Sequence, residues 1–293
     1  MSQPLKFEHR FLERFPYVIV DAAYRDEMPD SWAARPIAPA FLGRDTARCP
    51  VLIDTNVLPL AERSSLMDRI EAETRAGQEC LVSLALAASI TEAGLLNHLQ
   101  NRIQVIDPQD GQPRQFRYFD PGTFIQLPDI LGAAGMAWLL GPIQTLAVPW
   151  LGEWCCYDRH DAPIAADFDL RAHWERLQTT SVVNRVLIGL PDVGSQRAWC
   201  HAALQTRQHI ERARAQHKLE ARDDLVLFAL HAWQWHPEFD RHPTVRRLLA
   251  ELADAMPDDE LDYRELTSRL DEVDWARIAQ ELNAATNDQG SKP

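Results

Sequence analysis

The chain has 293 residues and a net charge of −13, with 43 acidic against 30 basic side chains. Because neutralising phosphates requires a basic surface, this balance argues against nucleic acid as a partner. The first ten residues are polar and charged, and no apolar run approaches the roughly 20 residues that a bilayer span needs. We therefore expect a cytoplasmic protein without membrane insertion, of a length typical of two domains.

Strand and helix signals alternate through the first part of the chain. Apolar runs at Tyr17–Ala23, Cys49–Asp54 and Cys80–Leu84 predict strands. Between the last two, Leu60–Gly77 has helical apolar spacing, and Gly77 can end the helix. Further on, the patterns predict helices near 124–130 and 133–140 and strands at 143–148 and 152–157.

A helix and a hairpin follow the Cys80–Leu84 strand. Ser89 and Glu92 have the spacing of a capping box, in which each side chain satisfies an unpaired amide of the first helical turn. After this helix, the stretches 102–106 and 114–119 flank a turn rich in proline and Asp-Gly, which predicts a β-hairpin.

The second strand of this hairpin is predicted to end in an aromatic string around one arginine. The string is Phe116, Arg117, Tyr118, Phe119, Asp120 and Pro121. In a strand Phe116 and Tyr118 would share one face, and Arg117 and Phe119 the other. We expect Arg117 and Asp120 to form a buried pair that holds the hairpin.

These features resemble the adaptor proteins, also called effector chaperones, of bacterial type VI secretion systems. The matching stretches are Tyr17–Ala22, the strand 81–84, the helix end Leu95–Leu99, Asp110-Gly111, the string Phe116–Pro121 and Leu140-Gly141-Pro142. The resemblance covers about residues 15–155, and the string is its most specific part.

The resemblance implies a protein that acts by binding alone. It would recognise a secreted effector and help to load it onto the valine-glycine repeat (VgrG-type) spike protein. On that interpretation the chain has no catalytic, cofactor-binding or metal-binding residues, and it needs two protein-binding surfaces. Each of these would bury on the order of 800 Å² per partner.

An enzyme is the competing interpretation. The run from Val51 to Leu58 resembles the opening of PIN-type metal-dependent nucleases, in which Asp54 and Glu92 would hold divalent ions. Such a fold needs parallel crossovers where this sequence predicts a hairpin, so we favour a strand and turn with local hydrogen bonds at Asp54. A third interpretation is an immunity protein that blocks one toxin.

The sequence after residue 163 shows helix signals almost throughout. We predict an α+β fold with an N-terminal lobe over 1–163, built on a mixed, mainly antiparallel sheet with flanking helices. An all-helical C-terminal lobe then covers 164–293. A helix near 170–177 is interrupted around 179–181, the run 182–190 is ambiguous between helix and strand, and the tail after Ala284 is expected to be disordered.

The helical lobe carries the candidate partner-binding residues. A long helix after Ser195 bears a basic stripe in an otherwise acidic chain, and aromatic residues with arginine dominate many interfaces. The candidates are Arg207, Arg212, Arg214, Trp233 and Trp235. The alternatives are a solvated helix face for the basic stripe and burial in the core for at least one of the two tryptophans.

Two clusters resemble metal ligand sets without matching one. Five scattered cysteines suggest reduced thiols, and Cys155, Cys156 and His160 lack the spacing and the second pair of a zinc site. His231, His236 and His242 are interpreted as structural, with Pro243 at the start of a helix.

Overall fold

The computed structural model describes residues 3–5, 8, 10–43, 45–159, 168–191, 193–254 and 261–290. The fold is α+β, with an antiparallel sheet and helices in the N-terminal half followed by a helical region, as predicted. The chain separates into two compact units. The first unit comprises Met1–Thr180 with Gly194–Arg197, and the second comprises Ser181–Val193 with Ala198–Pro293. The predicted boundary between residues 163 and 164 lies outside the described residues.

Seven strands form one sheet in the first unit, and every paired neighbour is antiparallel. Their order is β1-β9-β8-β5-β2-β4-β3, and β6 and β7 form a separate hairpin. The strands are β1 (Gln3–Leu5), β2 (Tyr17–Val20), β3 (Arg35–Pro36), β4 (Val51–Asp54), β5 (Val82–Ala88), β6 (Gln104–Ile106), β7 (Pro113–Gln115), β8 (Ile143–Trp150) and β9 (Glu153–Asp158).

Eleven α-helices are present among the described residues. They are α1 (Phe11–Arg14), α2 (Leu60–Ala76), α3 (Glu92–Arg102), α4 (Pro121–Phe124), α5 (Leu127–Leu140), α6 (Trp174–Ile188), α7 (Gln196–His217), α8 (Arg222–Gln234), α9 (Pro243–Asp254), α10 (Tyr263–Thr267) and α11 (Glu272–Gly290). The predicted helix over Leu60–Gly77 is confirmed, and Gly77 ends it with a φ of 64°.

The inner strands β2, β4 and β5 are buried because their residues are mostly apolar. Val18, Ile19 and Val20 of β2 are all fully buried, although successive side chains point to opposite faces. On one face Val18 and Val20 belong to the same cluster as Leu66 and Ile70 of α2. Trp154 of β9 closes that cluster and donates a 2.9 Å hydrogen bond from Nε1 to Thr74 Oγ1 of α2.

The second unit is built around α8 and aromatic rings. Phe228 is fully buried and lies 4.8 Å from the ring of Phe239 and 5.8 Å from that of Tyr263. Trp275 of α11 packs 4.4 Å from His231. In α8, Leu225, Val226, Phe228 and Ala229 are buried, while Leu227 and Leu230 stay partly exposed.

Three local predictions are wrong. The helix α3 begins at Glu92, not at Ser89, and its N-cap is Thr91, whose side chain accepts from the Gly94 amide. The helix α6 runs without interruption over 174–188. The helix α11 continues through Gly290, past the predicted start of a disordered tail.

Candidate functional site

The aromatic string does not extend the hairpin. Strand β7 ends at Gln115, so the residues from Phe116 to Asp120 form a turn that leads into α4. The predicted sharing of strand faces is therefore wrong. Asp120 instead caps α4, because its side chain accepts a 2.7 Å hydrogen bond from the Thr123 amide.

Arg117 pairs with a residue next to β2 instead of with Asp120. Its guanidinium donates a 2.9 Å hydrogen bond to Asp21 Oδ2, one residue beyond β2. It also lies 5.1 Å from the centre of the Phe119 ring. The Arg117 side chain is 52% exposed, so the predicted buried pair is wrong in both its partner and its environment.

The three aromatic residues of the string are buried. Phe116 is 6% exposed, Tyr118 2% and Phe119 0%, and their rings meet edge to face at about 6 Å. The Tyr118 hydroxyl donates to the carbonyl of Leu99 in α3 over 3.3 Å. Burial raises the pKa of Tyr118, so this hydroxyl keeps its proton and remains a donor.

The His98 ring lies against the Leu140-Gly141-Pro142 step. His98 Nε2 donates a 2.9 Å hydrogen bond to Leu139 O, and burial lowers the pKa of His98 to about 4 despite that bond. Gly141 has a φ of 51°, and a Cβ added there would lie 2.4 Å from the imidazole. This contact therefore requires glycine at position 141 for both its backbone angle and its small size.

The predicted basic stripe on α7 is only partly a surface. Arg207 is 2% exposed, so its assignment to a partner-binding surface is wrong. Arg214 is partly buried. Arg212 has a side chain that is 19% exposed and forms a 3.1 Å ion pair with Asp240.

Trp233 and Trp235 are both partly buried. Trp233 donates a 2.9 Å hydrogen bond from Nε1 to Thr206 Oγ1 of α7. Trp235 stacks on Trp275 at 6.1 Å with the ring planes 11° apart. Each indole therefore packs within the second unit, and each retains some accessible surface.

A buried carboxylate organises the end of α7. Asp240 is 3% exposed and accepts a 2.9 Å hydrogen bond from His217 Nε2, in addition to its ion pair with Arg212. Burial alone would raise the pKa of Asp240, but the His217 hydrogen bond and the Arg212 charge hold it below its usual value. Asp240 is thus an ionised group whose charge is balanced within the fold.

A basic pocket of about 570 Å³ lies beside this carboxylate in the second unit. Its exposed cations are Lys218, Arg241 and Arg246, and its floor includes Leu249 and Ala250. Because Asp240 is already balanced, the rim of the pocket is cationic in an otherwise acidic chain. Arg241 also forms a 2.8 Å ion pair with Glu238. The pocket is therefore one candidate partner-binding surface of the second unit. The pocket could not be found from the sequence, because its residues come from three separate segments.

The three candidate histidines are held by separate partners. His231 Nδ1 hydrogen-bonds the Tyr263 hydroxyl at 2.9 Å, and His242 Nε2 hydrogen-bonds Glu281 at 2.9 Å. His236 Nδ1 accepts from the Glu238 amide at 3.1 Å. The structural interpretation of these side chains agrees with this geometry.

The two remaining metal hypotheses find little geometric support. Asp54 accepts a 2.9 Å hydrogen bond from the Asn56 amide, as the local interpretation predicted, and Glu92 pairs with Arg35 at 3.4 Å. Cys155 and Cys156 are buried in β9, whereas His160 lies outside the described residues. Within the described ranges, no three His, Cys, Asp or Glu side chains are grouped so as to hold a metal ion.

Comparison with family models, with curated proteins and with solved structures finds no match to this chain. Over the described residues, no helix combines the length and apolar character needed to cross a membrane.

Proposed function

We propose that this chain is a type VI secretion adaptor that binds an effector and helps to load it onto a VgrG-type spike protein. It acts in the cytoplasm, by binding alone. One observation carries the proposal: four of the stretches that resemble the family are far apart in the sequence and yet touch one another.

These contacts link the four stretches one after another. Arg117 of the aromatic string reaches Asp21, at the end of the stretch Tyr17–Ala22. Tyr118 reaches Leu99, at the end of α3. His98 of the same helix packs on Gly141. A family resemblance that rests on separate short stretches requires those stretches to pack together in the fold. These contacts between them therefore support the proposal.

In this proposal the four contacting stretches form the scaffold, and the binding surfaces lie outside them. The string's aromatic residues are buried and Asp120 caps a helix, which leaves only Arg117 with a large exposed fraction. The second unit's basic pocket replaces the α7 stripe as the surface that sets partner choice. Its exposed Arg241 and Arg246 can pair with an acidic segment of the effector.

Co-purification tests this proposal. The tagged chain is expressed together with the genes that lie on either side of its own, and the proteins bound to it are identified by mass spectrometry. The proposal expects a toxin and a spike protein among them. We expect both to be retained by the natural chain. The double change Arg241→Glu and Arg246→Glu should weaken effector retention at least tenfold.

A matched control keeps net charge from explaining the result. Arg75→Glu with Arg185→Glu makes the same change in charge at two exposed positions that do not line the pocket. This control should retain the effector as the natural chain does. Equal loss in both variants would contradict the assignment of the pocket. Retention of no neighbouring toxin, or protection from a toxin in cells that lack the secretion machinery, would contradict the adaptor function.

A further inference from the structure

The hairpin formed by β6 and β7 has one strand edge that is left open. Strand β6 pairs with β7 through Gln104 with Gln115, Val105 with Arg114 and Ile106 with Pro113. Among the described residues it pairs with no other strand. An open strand edge presents backbone groups that can hydrogen-bond another chain.

The register shows which groups of β6 face outward. The Phe116 amide donates to Ile103 O at 2.6 Å, and the Asp107 amide donates to Gln112 O at 2.9 Å. Bonded and unbonded pairs alternate along an antiparallel ladder, so Gln104 and Ile106 occupy the unbonded positions. Their N–H and C=O groups therefore point away from β7. Pro113, which has no N–H, lies opposite Ile106, and the hairpin needs no hydrogen bond between these two residues.

The two edges of the hairpin differ. At an unbonded position the nitrogen of Pro113 faces the outer edge of β7 and offers no donor there, which blunts that edge. On β6 both outward residues keep their amides. Ile106 is also 43% exposed, so its side chain is accessible beside the open edge.

A groove of about 390 Å³ runs along this open edge. Gln104 and Ile106 line it from β6, Asn97, Gln100 and Asn101 line it from α3, and Ala38 and Ala40 complete the lining. The three α3 residues share one face of the helix because they are spaced three and four residues apart. None of the residues that line the groove is charged.

Carboxamide side chains match the chemistry of peptide groups. Each Asn or Gln offers both a donor and an acceptor, as a peptide unit does. The Gln100 amide nitrogen already donates to Pro36 O at 3.4 Å, and no such bond is present for Asn97 or Asn101 among the described residues. A charged ligand would lose hydration in this groove without gaining a counter-charge. The groove thus combines outward backbone groups of a strand with neutral donors and acceptors beside them.

We propose that this groove binds an uncharged, extended peptide segment of another protein, which adds as a strand to β6. The backbone groups of Gln104 and Ile106 supply the main-chain hydrogen bonds, and the carboxamides of α3 select uncharged side chains on alternate residues of the segment. The inference goes beyond the proposed function, because it holds for an extended segment from any partner and does not involve the basic pocket.

Peptide selection tests the proposal. A phage-displayed library of random dodecapeptides is selected on the full-length chain, and the enriched peptide is synthesised with a fluorophore. Its binding is measured by fluorescence anisotropy. We expect uncharged sequences to be enriched and the amides of Gln104 and Ile106 to gain protection from hydrogen exchange in the complex.

Variants at residue 106 separate the backbone from the side chain. Ile106→Pro removes the outward N–H without removing a bond to β7, and Ile106→Ala removes only the side chain. The proline variant should bind the peptide at least tenfold more weakly, and the alanine variant should remain within about threefold of the natural chain. Asn101→Ala, at an exposed helical position that the fold tolerates, should weaken binding several-fold.

Three outcomes would overturn the proposal. The first is a selection that enriches no peptide. The second is equal binding by the natural chain, Ile106→Pro and Asn101→Ala. The third is a dimer, seen by sedimentation, that Ile106→Pro dissociates, because the edge would then pair with a second copy of this chain.

Discussion

Arg117 and Asp21 lie 96 residues apart in the sequence and are joined by a 2.9 Å hydrogen bond. The bond connects the turn after β7 to the residue that follows β2. Asp21 has a second task, since its carboxylate accepts a 3.0 Å hydrogen bond from the Ala23 amide. One side chain thus fixes both the chain's exit from β2 and the position of the aromatic string.

A double-mutant cycle on this pair should give a coupling free energy of about 0.5–1 kcal/mol, because the Arg117 side chain is half exposed. Asp21→Ala alone should cost more than Arg117→Ala alone, since it also removes a cap. Urea unfolding of the four proteins measures both quantities. A coupling free energy of zero would show that the hydrogen bond does not contribute to stability.

Gly141→Ala should destabilise the chain more than Gly43→Ala. The two glycines share a backbone conformation, with φ and ψ of 51° and −110° at Gly141 and of 57° and −114° at Gly43. Only at Gly141 does an added Cβ meet another group, the His98 ring at 2.4 Å.

The difference between these two glycine variants therefore isolates the contact with His98. We expect it to be about 1–3 kcal/mol in the free energy of unfolding. Thermal and urea unfolding of both variants give the measurement. Equal destabilisation would mean that the imidazole moves aside at no cost.

Acidification should destabilise the chain through its buried histidines. Burial lowers the pKa of His231 to about 4, while an exposed histidine of the unfolded chain titrates near 6.5. Between these values the unfolded chain binds more protons, so the free energy of unfolding falls as the pH is lowered from about 6.5 to 4. The contribution of His231 approaches about 1.4 kcal/mol per pH unit within this window.

The double variant His231→Phe with Tyr263→Phe removes the titrating imidazole together with the hydroxyl group to which it is hydrogen-bonded. The slope of its unfolding free energy against pH should be smaller by the contribution of one titrating proton. Urea unfolding at several pH values measures this slope. Tyr263→Phe alone keeps the titrating ring and should retain the natural slope. An unchanged slope in the double variant would contradict the assignment.

Arg207→Glu should impair folding, whereas Arg241→Glu should not. Arg207 is 2% exposed, so the change would bury a carboxylate in a position that holds a guanidinium. The loss is expected to reach about 3 kcal/mol or more. Arg241 is exposed, and its reversal should stay within about 1 kcal/mol. Circular dichroism with urea unfolding compares the two, and a stable Arg207→Glu protein would contradict the burial argument.

Incubation with manganese and RNA or DNA should give no cleavage, because Asp54 accepts from the Asn56 amide and Glu92 pairs with Arg35. The purified chain and Asp54→Ala should behave alike on a denaturing gel. Cleavage that disappears with Asp54→Ala would instead support the nuclease interpretation.

The elements that could be predicted from the sequence are those with a local signal. The strands at β2 and β4 come from short apolar runs, and α2 comes from helical spacing with Gly77 in the left-handed region at its end. The strand order could not be predicted, since β5 pairs with β2 and β8, whose positions along the chain give no local sign of adjacency.

Competing signals explain the errors in detail. Ser89 and Thr91 can both cap a helix, and the strand β5 continues to Ala88, so Thr91 takes the role. On α7 the charge of Arg207 suggested an exposed position. Its spacing was the better signal, because Ala203 four residues before it and Ile210 three residues after it are buried on the same face.

The pairing of β5 also has a consequence during translation. One edge of β5 pairs with β2, which is synthesised earlier and has already emerged from the ribosome. The other edge pairs with β8, which begins only at Ile143. A nascent chain that has passed Ala88 therefore carries an exposed, apolar strand edge until β8 emerges. Fragments that stop between Gln115 and Ile143 should accumulate as insoluble material, whereas the full-length product should not.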